Sequence, residues 1–233
     1  NINMYNLFFL TLFVFSSFVG SKQIFLDTNN TLLIRGEISD KQATQFIYEL
    51  NQKPKKKNLY VYLDTNGGSV DAGNKIVNEI RKYNLSCIAQ KAISMGFVIL
   101  QSCNIRYITP LATLMQHQIS YGIMNEKAKV ESYVEFIKQI GDELTEMQAK
   151  KIGITSRRFN EKTYNDWWLF GKNALKNKCA DEMVDVKCST TLTNATYEID
   201  NGYYIYTYSK CPLVNGHIDK KSKDTKKDFV FFI

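Results

Sequence analysis

The chain has 233 residues, 44% hydrophobic and 23% charged, with three prolines, which is enough apolar material for one domain with a substantial core and excludes wholesale disorder. Its formal net charge of +7 gathers partly in two lysine runs, "KPKKK" (53–57) and "KKSKDTKK" (220–227). Neither run is interleaved with stacking aromatics, so both read as solvated loops or tails and argue against nucleic acid as a partner.

The first segment, "LFFLTLFVFSSFVG" (7–20), is as long as a secretory apolar region and shorter than the roughly 20 residues of a membrane-spanning helix. Gly20 and Ser21 follow as a cleavage point, so residues 1–21 are expected to be a signal peptide, although no Lys or Arg precedes the apolar run. An uncleaved membrane anchor is the alternative. Sequons at Asn29, Asn84 and Asn194 are glycosylation candidates and fit a secreted or lumenal protein. Of the five cysteines, Cys188 and Cys211 lie late in the chain, where an oxidising lumen could pair them. Cys87 and Cys103 sit in apolar contexts and are expected to be plain core thiols. With no C-x-x-C motif, no metal site is expected, and nothing points to a cofactor.

After the signal, "TLLIRG" (31–36) predicts a strand, and "SDKQATQFIYEL" (39–50) predicts a helix capped by Ser39 with Gln42 behind it. "NLYVYLD" (58–64) is a strand, "TNGGS" a turn, and residues 70–82 a helix turning Val70, Gly73, Val77 and Ile80 inward. "LSCIAQ" (85–90) is the next strand, and "KAISMGFVIL" (91–100) becomes a turn and a helix. "IRYITP" (105–110) and "ATLMQHQ" (112–118) read as two short strands, followed by a long helix from about Asn125 to Thr145. That helix is apolar on more than one side, which suggests contact with another subunit. "NDWWLFGKNALKNKCADEMVDV" (165–186) gives an extended piece, a short helix and a strand. Alternation of strand and helix argues for an α/β fold with a largely parallel sheet. From Ser189 the texture turns to Thr, Tyr and Asn, which predicts a small β appendage before a basic tail ending in "FVFFI". The expected domains are thus 1–21, a catalytic domain over 22–188, and an extension over 189–233.

A serine hydroxyl needs a base to become a nucleophile, usually a histidine oriented by a carboxylate. Only His117 and His217 exist, and His217 lies in the polar tail. His117, in "LMQHQ", directly follows a strand. Ser94 stands at a strand-to-helix turn, and "NGG" (66–68) stands at another, where paired glycines can turn sharply and present a backbone N–H.

Together, "YVYLDTNGGSVDAGNKIVNEIRKY", "AISMG", "MQHQ" and "YNDWW…ALKNKCADEMVDV" resemble the proteolytic subunit of Clp-type serine proteases, in order from about Leu32 to Val186. The resemblance implies a crotonase-like α/β core with a long handle-like helix. It also implies a catalytic Ser94, His117 and Asp166, and an oxyanion hole made by the N–H groups of Gly68 and Met95. It implies a peptide or unfolded-protein substrate and a homo-oligomer, a ring among the possibilities. Asp64 and Asp181 match no motif, and Trp167 and Trp168 are expected to be packing residues. The family's N-terminal segment, which helps dock an ATP-driven unfoldase, has little counterpart before Thr31. "TNGG" replaces the usual S-P-G-G, and Ile119 stands where a proline often follows H-Q. These departures, with the signal peptide, point to a serine endopeptidase that works without an ATPase partner. A catalytically silent Clp-like scaffold and a crotonase-like acyl-thioester enzyme are the alternatives.

Overall fold

The structure, a computed structural model, describes residues 22–223. The expected signal peptide and the "FVFFI" end lie outside the described residues. A seven-stranded sheet forms the body, built from β1 (Lys22–Leu26), β2 (Thr31–Ile38), β3 (Tyr60–Gly68), β4 (Ser86–Ile93), β5 (Arg106–Gln116), β6 (Trp167–Phe170) and β7 (Glu182–Cys188). Six strands run parallel in the order β1-β7-β5-β4-β3-β2, and β6 pairs antiparallel with the far end of β5. The first three helices, α1 (Asp40–Gln52), α2 (Val70–Lys82) and α3 (Met95–Ser102), connect β2 to β5. Two more, α4 (Lys127–Ile152) and α5 (Ser156–Thr163), precede β6, and the short α6 (Lys172–Lys176) leads into β7. The α/β class expected from the alternation of elements is therefore what the chain adopts.

Strand sequences that are apolar at consecutive positions require both sheet faces to be covered, because successive side chains point opposite ways. In β3, Val61 and Leu63 enter the main core with Phe46, Ile76 and Phe97 of the helices, whereas Tyr62 enters a second core. In β4 and β5, Cys87 and Ile108 join the first core, while Ile88 and Tyr107 join the second. The extension closes that second face. After β7, the short helix α7 (Thr190–Asn194) contributes Leu192, and the segment beyond β9 contributes Cys211, with Val214 packed against them. A three-stranded antiparallel sheet, β8 (Thr196–Asp200), β9 (Tyr204–Ser209) and β10 (His217–Ser222), makes up the rest of the extension. Arg35 fastens it to the body, donating to the carbonyl oxygens of Pro212 and Val214 and pairing with Asp64 at 3.3 Å.

Several expectations change. Cys87 and Cys103 are not free core thiols but a disulfide. The helix α3 runs back along β4, so its C-cap Cys103 returns beside the second residue of that strand, with Cα atoms 5.8 Å apart. Cys188 and Cys211 also pair, joining the end of β7 to the extension, and Cys179 is free and buried. The two short strands expected at 105–110 and 112–118 are one strand, β5, with a register shift against β4 next to Pro110. The long helix extends past Thr145 to Ile152 and stops where Gly153 turns left-handed at φ 81°. β1 and α5 were not expected. His217 is exposed on β10, its ring edge-on to Tyr206 and Tyr208. Among the described residues, no helix is long and apolar enough to cross a membrane.

Candidate active site

Two turns at one end of the parallel sheet meet. The first follows β4, where Ser94 is held at φ 56° and ψ −120°, a region that a residue with a Cβ enters at a cost of about 1–3 kcal/mol. Its N–H donates to the carbonyl of Met115 at 2.9 Å, which ties the turn to the last residues of β5. The second is the end of β3, whose last residues are the glycine pair. Thr65 accepts the N–H of Gly67 at 3.0 Å on its hydroxyl oxygen and donates that hydroxyl to the Gly36 carbonyl, so the glycine pair is fixed from below. A Cβ on Gly67 would lie 2.7 Å from the Ser94 Cβ and from the Ile93 carbonyl oxygen, so only glycine lets the two turns close on each other. Gly68, at φ 148°, is as constrained, since a side chain there would strike the Ile38 backbone.

His117 follows directly after β5. Its Nε2 lies 2.8 Å from Ser94 Oγ, and both residues are half-buried. Its backbone N–H donates to the side-chain oxygen of Gln116 at 3.1 Å. Ser94 also opens α3, so the N–H groups at the start of that helix, Met95 first, have no carbonyl partner within it. A cleft of about 620 Å³ runs over this end of the sheet, lined by Ser94, His117, Gly68 and Met95. Its other walls come from α3, the end of β5 and the segment after it, α4 and α5, where Val98, Ile137, Leu144 and Phe159 are joined by Gln118, Lys138, Asp142 and Asn160.

Asp166 is placed differently. It is exposed, sits at φ 33°, and directly precedes β6. The β5–β6 ladder ends at the pair Gln116–Trp167, so His117 and Asp166 are the next residue of each chain segment beyond it. No hydrogen bond between the two side chains is among the described ones. Trp167 is buried against Phe97 and Phe159, whereas Trp168 faces outward, 57% exposed. The other two carboxylates named from sequence are structural. Asp64 pairs with Arg35 and Lys91, and Asp181 grips Arg106. Sequence reasoning missed Thr65, Gln116 and Gln148, all buried polar groups around the cleft or its turns. A threonine two residues before a glycine pair was the one available signal.

The family model of the Clp protease matches residues 18–187, well over half of the chain. The chain belongs to the Clp protease family. It is similar to ATP-dependent Clp protease proteolytic subunit 2 of Borreliella burgdorferi, 26% identical over 172 residues, covering 68% of this chain and 84% of the relative. It is likewise 27% identical over 154 residues to ATP-dependent Clp protease proteolytic subunit 2 of Tropheryma whipplei, covering 63% and 86%. The matched region of this Clp-family chain ends at Lys187, immediately before the cysteine that anchors the extension. The extension therefore lies outside the family's common core.

Proposed function

We propose that this Clp-family chain is a serine-type endopeptidase acting through Ser94, His117 and Asp166. The observation that carries the reading is the 2.8 Å approach of His117 Nε2 to Ser94 Oγ inside a cleft of about 620 Å³. With the imidazole proton on Nδ1, Nε2 accepts the hydroxyl proton as Oγ attacks the substrate carbonyl, then returns it to the leaving amine. Asp166 swings onto Nδ1 when substrate fills the cleft, holding that tautomer and stabilising the imidazolium, since such bonds are often loose in the resting enzyme. The N–H groups of Gly68 and Met95 receive the oxyanion, aided by the positive end of α3. Losing one such donor typically costs about 3 kcal/mol of transition-state stabilisation.

The substrate is a peptide or an unfolded protein. Subunits associate through α4, a reading supported by exposed Tyr133, Val134 and Phe136 on that helix. The relatives are named ATP-dependent, but for this chain we favour action without an ATPase partner, given its departure in "TNGG". A secreted or lumenal location is supported by two disulfides and by exposed sequon asparagines 29, 84 and 194. The test is hydrolysis of short fluorogenic peptides by the purified protein without nucleotide. Cleavage that disappears in Ser94→Ala supports the reading, and inactivity of a confirmed oligomer under all conditions favours the silent scaffold.

A further inference from the structure

Two glutamines are buried at the edge of a cleft whose lining mixes apolar side chains with polar and charged ones. Gln116 is 4% exposed and Gln148 2% exposed, yet both border the cavity that holds Ser94 and His117. The Gln116 Nε2 donates to the Gln148 Oε1 at 2.5 Å, the Gln148 Nε2 donates to the Leu144 carbonyl at 2.8 Å, and the Gln116 Oε1 accepts the His117 N–H at 3.1 Å. A primary carboxamide carries two N–H donors and an oxygen that accepts twice. These bonds use one hydrogen on each nitrogen and one acceptor position on each oxygen. One donor and one acceptor position therefore remain on each side chain, beside a cavity walled by Val98, Leu144 and Phe159.

Buried amides next to apolar walls are costly unless their remaining capacity is met by a partner of matching chemistry. Here the pair offers both donors and acceptors within one neutral patch. A hydrocarbon side chain placed against it satisfies neither. A carboxylate can only accept, so it leaves both amide oxygens unmet, and it brings negative charge into a cleft that Asp142 also lines. A carboxamide or similar neutral polar group can give and accept in the same place. Gln116 and Gln148 line the same cleft as Ser94 and His117, which puts this floor within the space open to a substrate side chain close to the attacked carbonyl.

We propose that Gln116 and Gln148 form the floor of a specificity subsite that selects a substrate residue with a neutral hydrogen-bonding end, glutamine or asparagine, immediately before the scissile bond. This rests on the peptidase reading of the same site. A site built to hydrogen-bond its substrate discriminates more sharply than an apolar slot.

The test separates binding from chemistry. A series of fluorescent peptides differing only at that residue, with Gln, Asn, Glu, Leu or Met, is titrated against the full chain carrying Ser94→Ala, and cleavage of the same series is followed with the unaltered protein. The expected result is binding of the Gln or Asn peptide at least about tenfold tighter than Leu or Glu, with Gln148→Met shifting preference to Leu and Met. Tighter binding of Leu or Met by the unaltered floor overturns the proposal with no floor variant needed, and so does a series that binds without discrimination. A carboxamide preference that survives in folded Gln148→Met and Gln116→Leu proteins overturns it as well. If the preference is present while no peptide is cleaved, the subsite stands and the peptidase reading fails.

Discussion

His117 reaches Ser94 across the β4–β5 strand pair: its Nε2 lies 2.8 Å from Oγ, while the serine's N–H donates to Met115, two residues before the histidine. Nucleophile and base are thus held by one backbone bond and one side-chain contact at the same point. Ser94→Ala and His117→Ala are each expected to lower kcat by about 10⁴-fold or more, with the double variant little worse than either, because the two act as a unit. Steady-state rates on one fluorogenic peptide, with melting curves to confirm folding, check this.

The two turns can close only if Gly67 lacks a side chain. Gly67→Ala places a Cβ 2.7 Å from the Ser94 Cβ at φ +95°. The expected outcome is a destabilisation of about 2 kcal/mol or more, with peptidase activity reduced at least about a hundredfold, since shifting the nucleophile by an ångström disrupts attack. Gly153→Ala is the comparison. It sits at φ +81° with open space around it, so it should cost only about 1 kcal/mol and leave activity unchanged. Denaturant melts and kcat/KM for both variants make the measurement.

Arg106 is buried and forms two bonds with the Asp181 carboxylate, at 3.1 and 2.5 Å, while also donating at 2.6 Å to Gln101. Burial pushes the Asp181 carboxyl up, but the guanidinium and the Arg106 backbone N–H outweigh it and hold the group below its ordinary value. A carboxyl depressed in the folded state lends stability above its unfolded pKa and loses it as pH falls through the folded one. Asp181→Asn should therefore cost roughly 1–2 kcal/mol at pH 7, a figure kept modest because Asp181 is 38% exposed. The gap to the unaltered protein should narrow below about pH 4. Urea melts of both proteins at pH 7 and pH 3.5 decide it.

Of the five cysteines, four are in disulfides and one, Cys179, is free. Burial pushes its thiol up to about 12, so at neutral pH it is protonated as well as inaccessible. Thiol titration without reductant should give close to zero per native chain and one per unfolded chain. Three per unfolded chain would mean that one disulfide is absent.

Much of this arrangement was legible from the residues. The strands announced themselves as β-branched and aromatic runs, and "ISMG" located the turn at Ser94, whereas "TNGG", expected as a turn, continues β3 to Gly68. The helix of residues 70–82 is where its apolar spacing put it; α2 buries Gly73, Val77 and Ile80 as expected, with Ala72 and Ile76 beside them, while Val70 is only half-buried. Other features depend on where the chain returns in space. Cys87 finds Cys103 only because α3 is eight residues long and doubles back along β4. Gln116 and Gln148 lie 32 residues apart, and each looks like an ordinary polar residue until β5 and α4 pack together. The covering of the second sheet face was hinted at by "LYVYL", apolar on both sides, but the identity of the cover was not. Tyr62 and Tyr107 meet Leu192 and Cys211 there only after the chain leaves β7 through the Cys188 disulfide.

Covalent labelling with a fluorophosphonate tests the central claim most directly, because the reagent reports an activated serine without needing the natural substrate. Peptide mapping by mass spectrometry should find one adduct per chain on Ser94, absent in Ser94→Ala and formed far more slowly in His117→Ala. A folded protein that takes up no label, or whose label persists undiminished in Ser94→Ala, would contradict the account.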